Sequence, residues 1–105
     1  MLDVRKIRLT LELREAGISN SKVLSAIEKI PREIFIPDNF RNQAYENIPL
    51  PIGEDQTISQ PYIVALMTQS LELNNKHKVL ELGTGSGYQS SILSLLVRRV
   101  YTIER

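Results

Sequence analysis

Gly83-Thr84-Gly85-Ser86-Gly87 alternates glycine with small hydroxyl residues, directly after the apolar run of Lys78–Leu82 and directly before a helical pattern. A strand that stops at a tight loop and restarts as a helix opens many nucleotide-type binding sites in α/β folds. Such a loop needs glycine where a Cβ would block a ligand's approach or where φ is positive. The spacing is G-x-G-x-G, and Tyr88 occupies the position where a dinucleotide fingerprint would have its third glycine. The loop therefore suits a ligand whose adenosine and charged tail lie along the backbone, of which S-adenosylmethionine is an example, better than a pyrophosphate on a helix end. A tight turn without a ligand is the alternative.

Carboxylates and hydroxyls stand in register with this loop. Glu104 lies 17 residues after Gly87, at the end of the next apolar run. In a right-handed β-α-β crossover the tips of adjacent strands meet at one sheet edge. A carboxylate there can accept two hydrogen bonds from a ribose; otherwise Glu104 is a surface acid. Glu81 falls inside the strand pattern, and a buried glutamate needs a partner. That partner is either the glycine loop's amides or a ligand's ammonium reached through water. Upstream, Thr57-Ile58-Ser59-Gln60-Pro61-Tyr62 puts hydroxyls just ahead of a helix start. They can cap that helix, or the hydroxyl and helix N-terminus can receive a carboxylate substrate.

Other chemistries lack their residues. There is no cysteine, hence no disulfide, Cys-type zinc site or thiol nucleophile. The single histidine, His77, sits between Lys76 and Lys78 and reads as an exposed loop residue with no second metal ligand near it. The net charge of +1 provides no overall field toward nucleic acid or anionic lipid. Seven of the thirteen basic residues fall in the first 32, but Asp3, Glu12, Glu15 and Glu28 intersperse them, as on a solvated helix face. The N-terminal stretch is too often broken by charge for a signal peptide. No segment approaches the ~20 apolar residues that span a bilayer. A soluble cytoplasmic protein without nucleic-acid or membrane partners is expected.

The elements that must position these groups can be read from periodicity. Residues 3–16 form an amphipathic helix with Val4, Ile7 and Leu11 on one face, stopped by Gly17. Asn20 or Ser21 caps a second helix, with Val23, Leu24, Ile27 and Ile30 on its face and Pro31 at its end. Pro31–Pro37 is a short apolar element. Asp38 can cap a further turn carrying Phe40, Ala44 and Tyr45. Residues 47–53, with two prolines, are extended or an edge, and residues 54–60 are a polar loop. A helix of about 12 residues follows with Pro61 in its first turn and Ile63, Val64, Met67 and Leu71 along it. Residues 74–77 make a turn. Lys78–Leu82 is a mostly buried parallel strand, Tyr88–Val97 a helix with Ile92, Leu93, Leu95 and Leu96 inward, and Val100–Ile103 a second strand.

Taken together, several stretches resemble protein-L-isoaspartate O-methyltransferase. They are Pro31-Arg32-Glu33-Ile34-Phe35-Ile36-Pro37, Ala44-Tyr45, Leu50-Pro51-Ile52-Gly53, Gln56-Thr57-Ile58-Ser59-Gln60-Pro61-Tyr62 and Val79–Gln89 around the glycine loop. Many methyltransferases share the glycine loop; the T-I-S-Q-P block is characteristic of this family. The resemblance implies methyl transfer from S-adenosylmethionine to the α-carboxylate of L-isoaspartyl residues in damaged proteins and peptides, a repair reaction. It implies an active-site role for Ser59, with Thr57 and Ile58 lining the substrate pocket. It also implies cofactor contacts at Gly83, Gly85, Gly87 and Glu104, with Glu81 beside them, and no metal.

The implied fold is α/β: N-terminal helices, then the first β-α-β unit of a Rossmann-like methyltransferase, with the sheet incomplete. Residues 1–105 then form one truncated domain, in which 1–75 are the helical and substrate-block region and 76–105 the cofactor-binding unit. The family's sheet has seven strands, so exposed sheet edges and uncovered apolar faces are expected here. A catalytically inactive remnant, acting at most as a partial binding or oligomerising module, is the competing expectation. A methyltransferase of another specificity is a third, which the Gln56–Tyr62 block argues against.

Overall fold

The computed structural model describes residues 3–103. Helix α1 spans Val4–Glu15, and the Asp3 carboxylate caps it by accepting from the Arg5 N–H. At its other end the Ile18 N–H donates to the Leu13 carbonyl and the Gly17 N–H to that of Arg14. This is a Schellman closure, with Gly17 at φ +112°. The closure joins Leu13 to Ile18, both fully buried, and so sets which face of α1 turns inward. That face carries Leu9 and Leu13, whereas Val4 and Leu11, expected on it, are 66% and 52% exposed.

Helix α2, Ser21–Lys29, starts at Asn20, whose Oδ1 accepts from the N–H groups of Lys22 and Val23. It ends where Ile30, preceding Pro31, takes an extended conformation. Val23, Leu24, Ala26 and Ile27 are buried. Two 3-10 turns follow, at Arg32–Phe35 and Asp38–Gln43. The second begins after Pro37 without a side-chain cap, so Asp38 does not serve as one.

Strand β1, Leu50–Gly53, pairs antiparallel with β2, Gln56–Ile58. The polar loop expected over residues 54–60 is thus the tip and second strand of a hairpin. Glu54 and Asp55 both have positive φ, the backbone that matches the twist of a two-residue hairpin. A bulge between Pro51 and Gly53 shifts the register, while Leu50 faces Ile58 and both are buried. A one-residue slip would expose both, so burial holds the pairing.

Helix α3, Pro61–Ser70, buries Val64, Ala65 and Thr68. Ile63, Met67 and Leu71, expected along its apolar face, are exposed. Its Gln69 stitches the α1–α2 junction: Oε1 accepts from the Ser19 and Asn20 N–H groups, and Nε2 donates to the Gly17 carbonyl.

Strands β3, Lys78–Leu82, and β4, Arg99–Ile103, are parallel and in register from Lys78–Arg99 to Leu82–Ile103. Helix α4, Tyr88–Ser94, connects them and buries Tyr88, Ile92 and Leu93. It ends earlier than periodicity suggests, and Leu95 points outward while Val97 is buried. The expectation of a mostly buried β3 does not hold. Leu80 and Leu82 are 58% and 73% exposed, as are their β4 neighbours Tyr101 and Ile103 in lesser degree, because α4 packs beside the sheet and the opposite face is open. The open apolar face is the expected consequence of a two-stranded sheet. One core cluster nevertheless runs from Leu9 on α1 to Ile92 on α4.

Asn20 satisfies two otherwise orphaned amides of α2. Asn20→Ala is expected to lower unfolding free energy by about 1 kcal/mol, with Asn20→Asp near wild type. The urea midpoint measures it, and equal midpoints for wild type and Asn20→Ala would show that the cap contributes nothing to stability.

Candidate active site

The turn at Ser59 and the glycine loop open onto one cavity of about 390 Å³, a size within the range of small-molecule sites. Thr57, Ile58 and Ser59 line it from β2 and the turn beyond; Gly83, Thr84 and Gly85 line it from the loop, and Glu81 from β3. Gly87 does not line it but caps α4, with φ +89° and its carbonyl accepting from the Ser91 N–H. Glu104 lies outside the described residues.

Gly83 and Gly85 have φ of +74° and +58°. A Cβ built on either meets nothing within 4 Å, so the conformation rather than crowding within the chain calls for glycine. The loop is anchored at its start by the Gly83 N–H donating to the Ile103 carbonyl. At its end the Gly87 N–H donates to the Thr84 carbonyl and the Tyr88 N–H to Ser86 Oγ. Glu81 is bonded by the Ser90 hydroxyl of α4. This partner is neither the glycine loop's amides nor a ligand's ammonium, the two expected; the bond ties the strand before the loop to the helix after it. The Thr84 hydroxyl is buried with no hydrogen-bond partner among the described residues.

On the other side, neither Thr57 nor Ser59 caps α3. Gln60 is the N-cap residue and makes no side-chain cap. Asn47 does that work from a distance, its Oδ1 accepting from the Tyr62 N–H at 2.9 Å while its carbonyl accepts from Gln60 Nε2. The capping alternative for Ser59 therefore gives way, and its exposed side chain is left facing the cavity.

Beneath the turn lies Arg32, with none of its surface exposed. Nη1 donates to the carbonyls of Ala44 and, at longer range, Glu46; Nη2 donates to those of Ile48 and Ser59. Burial pulls this guanidinium below its ordinary pKa. Its carbon is 6.0 Å from the centroid of the Tyr88 ring, which also meets the Phe35 ring edge-on at 5.5 Å. Nearby, the Tyr45 hydroxyl donates to Glu33, and burial, with that bond second, raises its pKa. Arg32 and Asn47 have no motif spacing to reveal them: each acts across more than ten residues of chain. The faint signal for Arg32 is its place in the short apolar element Pro31–Pro37.

The sequence model of the family "Protein-L-isoaspartate(D-aspartate) O-methyltransferase (PCMT)" matches residues 4–105. The chain belongs to the PCMT family. It is 63% identical over 101 residues to the protein-L-isoaspartate O-methyltransferase of Rhodospirillum rubrum, covering 96% of this chain and 46% of that protein. It is 61% identical over 93 residues to that of Dictyoglomus turgidum, covering 89% and 42%. The chain spans about half the length of the curated relatives it matches. Among solved structures, a protein-L-isoaspartate O-methyltransferase superposes with a TM-score of 0.84 at 31% identity, over 94% of this chain and 33% of that one. A Plasmodium falciparum protein solved in complex with S-adenosyl-L-homocysteine superposes with a TM-score of 0.79 at 24% identity, over 93% and 48%; it bears on the fold alone. The α/β reading, with its incomplete Rossmann-like sheet, accordingly holds for this PCMT-family chain.

Tyr88 supplies a test of the packing under the PCMT glycine loop. Its hydroxyl is buried without a partner among the described residues, and burial pushes its pKa up to about 12, with Arg32 opposing. The folded state therefore holds this proton more tightly than the unfolded chain, whose tyrosine titrates near 10. The contribution is intact below pH 10 and is lost as pH rises toward 12, with a limiting slope of about 1.4 kcal/mol per pH unit for one proton. Tyr88→Phe should be neutral or slightly stabilising at pH 7 and shallower between pH 10 and 12 by up to that slope. Urea unfolding at a series of pH values measures both, and an unchanged slope would contradict the burial of the phenol.

Proposed function

We propose that this chain carries the methyl-transfer site of a protein-L-isoaspartate O-methyltransferase, with S-adenosylmethionine as methyl donor and the α-carboxylate of L-isoaspartyl residues in damaged proteins and peptides as acceptor. The observation that carries the reading is the cavity shared by the Thr57–Ser59 turn and the Gly83–Gly85 loop. The residues present fit such a donor. The loop is open above Gly83 and Gly85, and the buried Thr84 hydroxyl has an unused hydrogen-bonding capacity at the same wall. When bound, the donor supplies an electrophilic methyl group on a sulfonium.

The chain's residues have a correspondingly limited task. The acceptor carboxylate is ionised at neutral pH, so no general base is needed. Ser59 orients one carboxylate oxygen by hydrogen bonding and leaves the other free for in-line attack. Thr57 and Ile58 form the wall beside it. Gly83 and Gly85 let the backbone approach the donor, Gly87 sets the loop's exit into α4, Glu81 holds the loop's two flanks together, and Glu104 accepts from the ribose hydroxyls. Orientation of this kind can lower a barrier by roughly 7–11 kcal/mol in favourable cases. In this scheme residues 1–75 form the substrate-block region and residues 76–105 the cofactor-binding unit, of a cytoplasmic protein.

Incubation of the purified chain with methyl-labelled S-adenosylmethionine and an isoaspartyl peptide should yield a labelled, base-labile ester, and none should form on the aspartyl isomer. The absence of both ester and calorimetric donor binding would refute the reading. Because Ser59 caps nothing, Ser59→Ala should reduce turnover while leaving unfolding free energy within about 0.5 kcal/mol of wild type. Full turnover by that variant would take Ser59 out of the site. Glu104→Ala should weaken donor binding by about tenfold, the scale of one charge-assisted hydrogen bond; an unchanged dissociation constant would remove the ribose role.

A further inference from the structure

The largest fully buried side chain among the described residues is a charged one, and it bonds the backbone of the candidate site directly. Arg32 sends Nη1 to the Ala44 carbonyl at 2.8 Å, and Nη2 to the Ile48 carbonyl at 2.8 Å and the Ser59 carbonyl at 3.2 Å. Among the described residues the ion pairs are Arg5–Asp3 and Arg41–Asp38, so Arg32 has no carboxylate partner there. A charge taken out of water needs hydrogen bonding to be tolerated. Here backbone oxygens from two separate stretches satisfy the two terminal nitrogens, while Nε is buried with no partner among the described residues. The fork is planar and its donors are fixed relative to one another. Holding Ala44 through Nη1 and Ile48 through Nη2 therefore sets where Nη2 also meets the Ser59 carbonyl.

Ser59 needs such a hold. It lies between the last residue of β2 and the N-cap of α3, outside both ladders. The same guanidinium faces the ring of Tyr88, the first residue of the helix after the glycine loop. One side chain thus references the turn on one wall of the cavity to the helix that carries the other.

We propose that Arg32 is a positioning residue for acceptor recognition: its guanidinium fork fixes the Ser59 backbone so that the Ser59 hydroxyl meets the carboxylate, without itself touching acceptor or donor. The inference rests on the methyltransferase reading above for its catalytic consequence, and on geometry alone for its structural one.

The test uses the full chain as wild type, Arg32→Lys and Arg32→Met, with folding followed by circular dichroism. Lysine keeps the charge and loses the fork. The first readout is the 15N heteronuclear NOE of the Ser59 amide with no ligand present. It should fall in both variants while the amides of α1 keep their wild-type values; a Ser59 amide as rigid in Arg32→Lys as in wild type overturns the proposal. The second is kinetic. For an isoaspartyl peptide kcat/KM should drop between about tenfold and a hundredfold in Arg32→Lys, with calorimetric affinity for S-adenosylmethionine retained. Parallel loss of donor affinity and of stability, or full activity in Arg32→Lys, overturns it. A wild-type chain that transfers no methyl group counts against the proposed function alone, since the NOE arm is read without substrate. Should both variants unfold, the wild type decides. A scalar coupling across the hydrogen bond from Arg32 Nη to the Ser59 carbonyl carbon supports the proposal, and freely rotating, rapidly exchanging Arg32 Nη protons overturn it.

Discussion

A guanidinium with no exposed surface and no carboxylate partner among the described residues has to find its acceptors in the backbone, and this requirement organises the centre of the molecule. Arg32 finds them in the carbonyls of Ala44, Ile48 and Ser59. The chain between Pro37 and Pro61 must therefore wrap around one point. The hairpin β1–β2 projects from that wrap, with Leu50 and Ile58 buried to fix its register, and α3 leaves it under the distant cap of Asn47. Phe35, on the same 3-10 turn as Arg32, packs edge-on against Tyr88 at the start of α4. The two walls of the cavity thus share a foundation although nearly thirty residues separate Ser59 from Tyr88 in sequence.

On that foundation the proposed chemistry asks for little. Methyl transfer to an ionised carboxylate needs alignment rather than proton movement. A site with a serine hydroxyl, a glycine loop and a scaffold-bound glutamate is sufficient in kind, and the lack of a histidine or cysteine constellation is consistent with it. The left-handed glycines leave the loop's cavity side open, and the Glu81–Ser90 bond joins the elements that precede and follow it. Rigidity at the loop's flanks and openness at its middle are the properties that an induced in-line geometry requires.

Much of this was legible from residue order because the relevant physics is local. Asn20 as a cap, Gly17 as a stop, Pro31 as a terminator and Lys78–Leu82 as a strand all follow from what each residue does to its own backbone. Which face turns inward is not local. Leu9 and Leu13 win over Val4 and Leu11 because the Schellman closure draws Ile18 against Leu13. Leu80 and Leu82 are exposed because they line the open cavity, a fact about neighbours rather than about the strand. The hairpin was hidden because Glu54-Asp55 adopts positive φ without a glycine at either central position. Within the site, Thr57, Ser59 and the glycine loop stand out by type and spacing, whereas Arg32 and Asn47 act through contacts that no periodicity encodes.

The Ser59 turn and the glycine loop should respond to one ligand as one site. Titrating the 15N-labelled chain with S-adenosyl-L-homocysteine and following amide resonances tests it most directly. A single binding curve should describe shifts at Gly83 and Gly85 and, at the same midpoint, at Thr57, Ile58 and Ser59, with the amides of α1 unmoved. Shifts confined to the glycine loop, or absent from both walls, would contradict it.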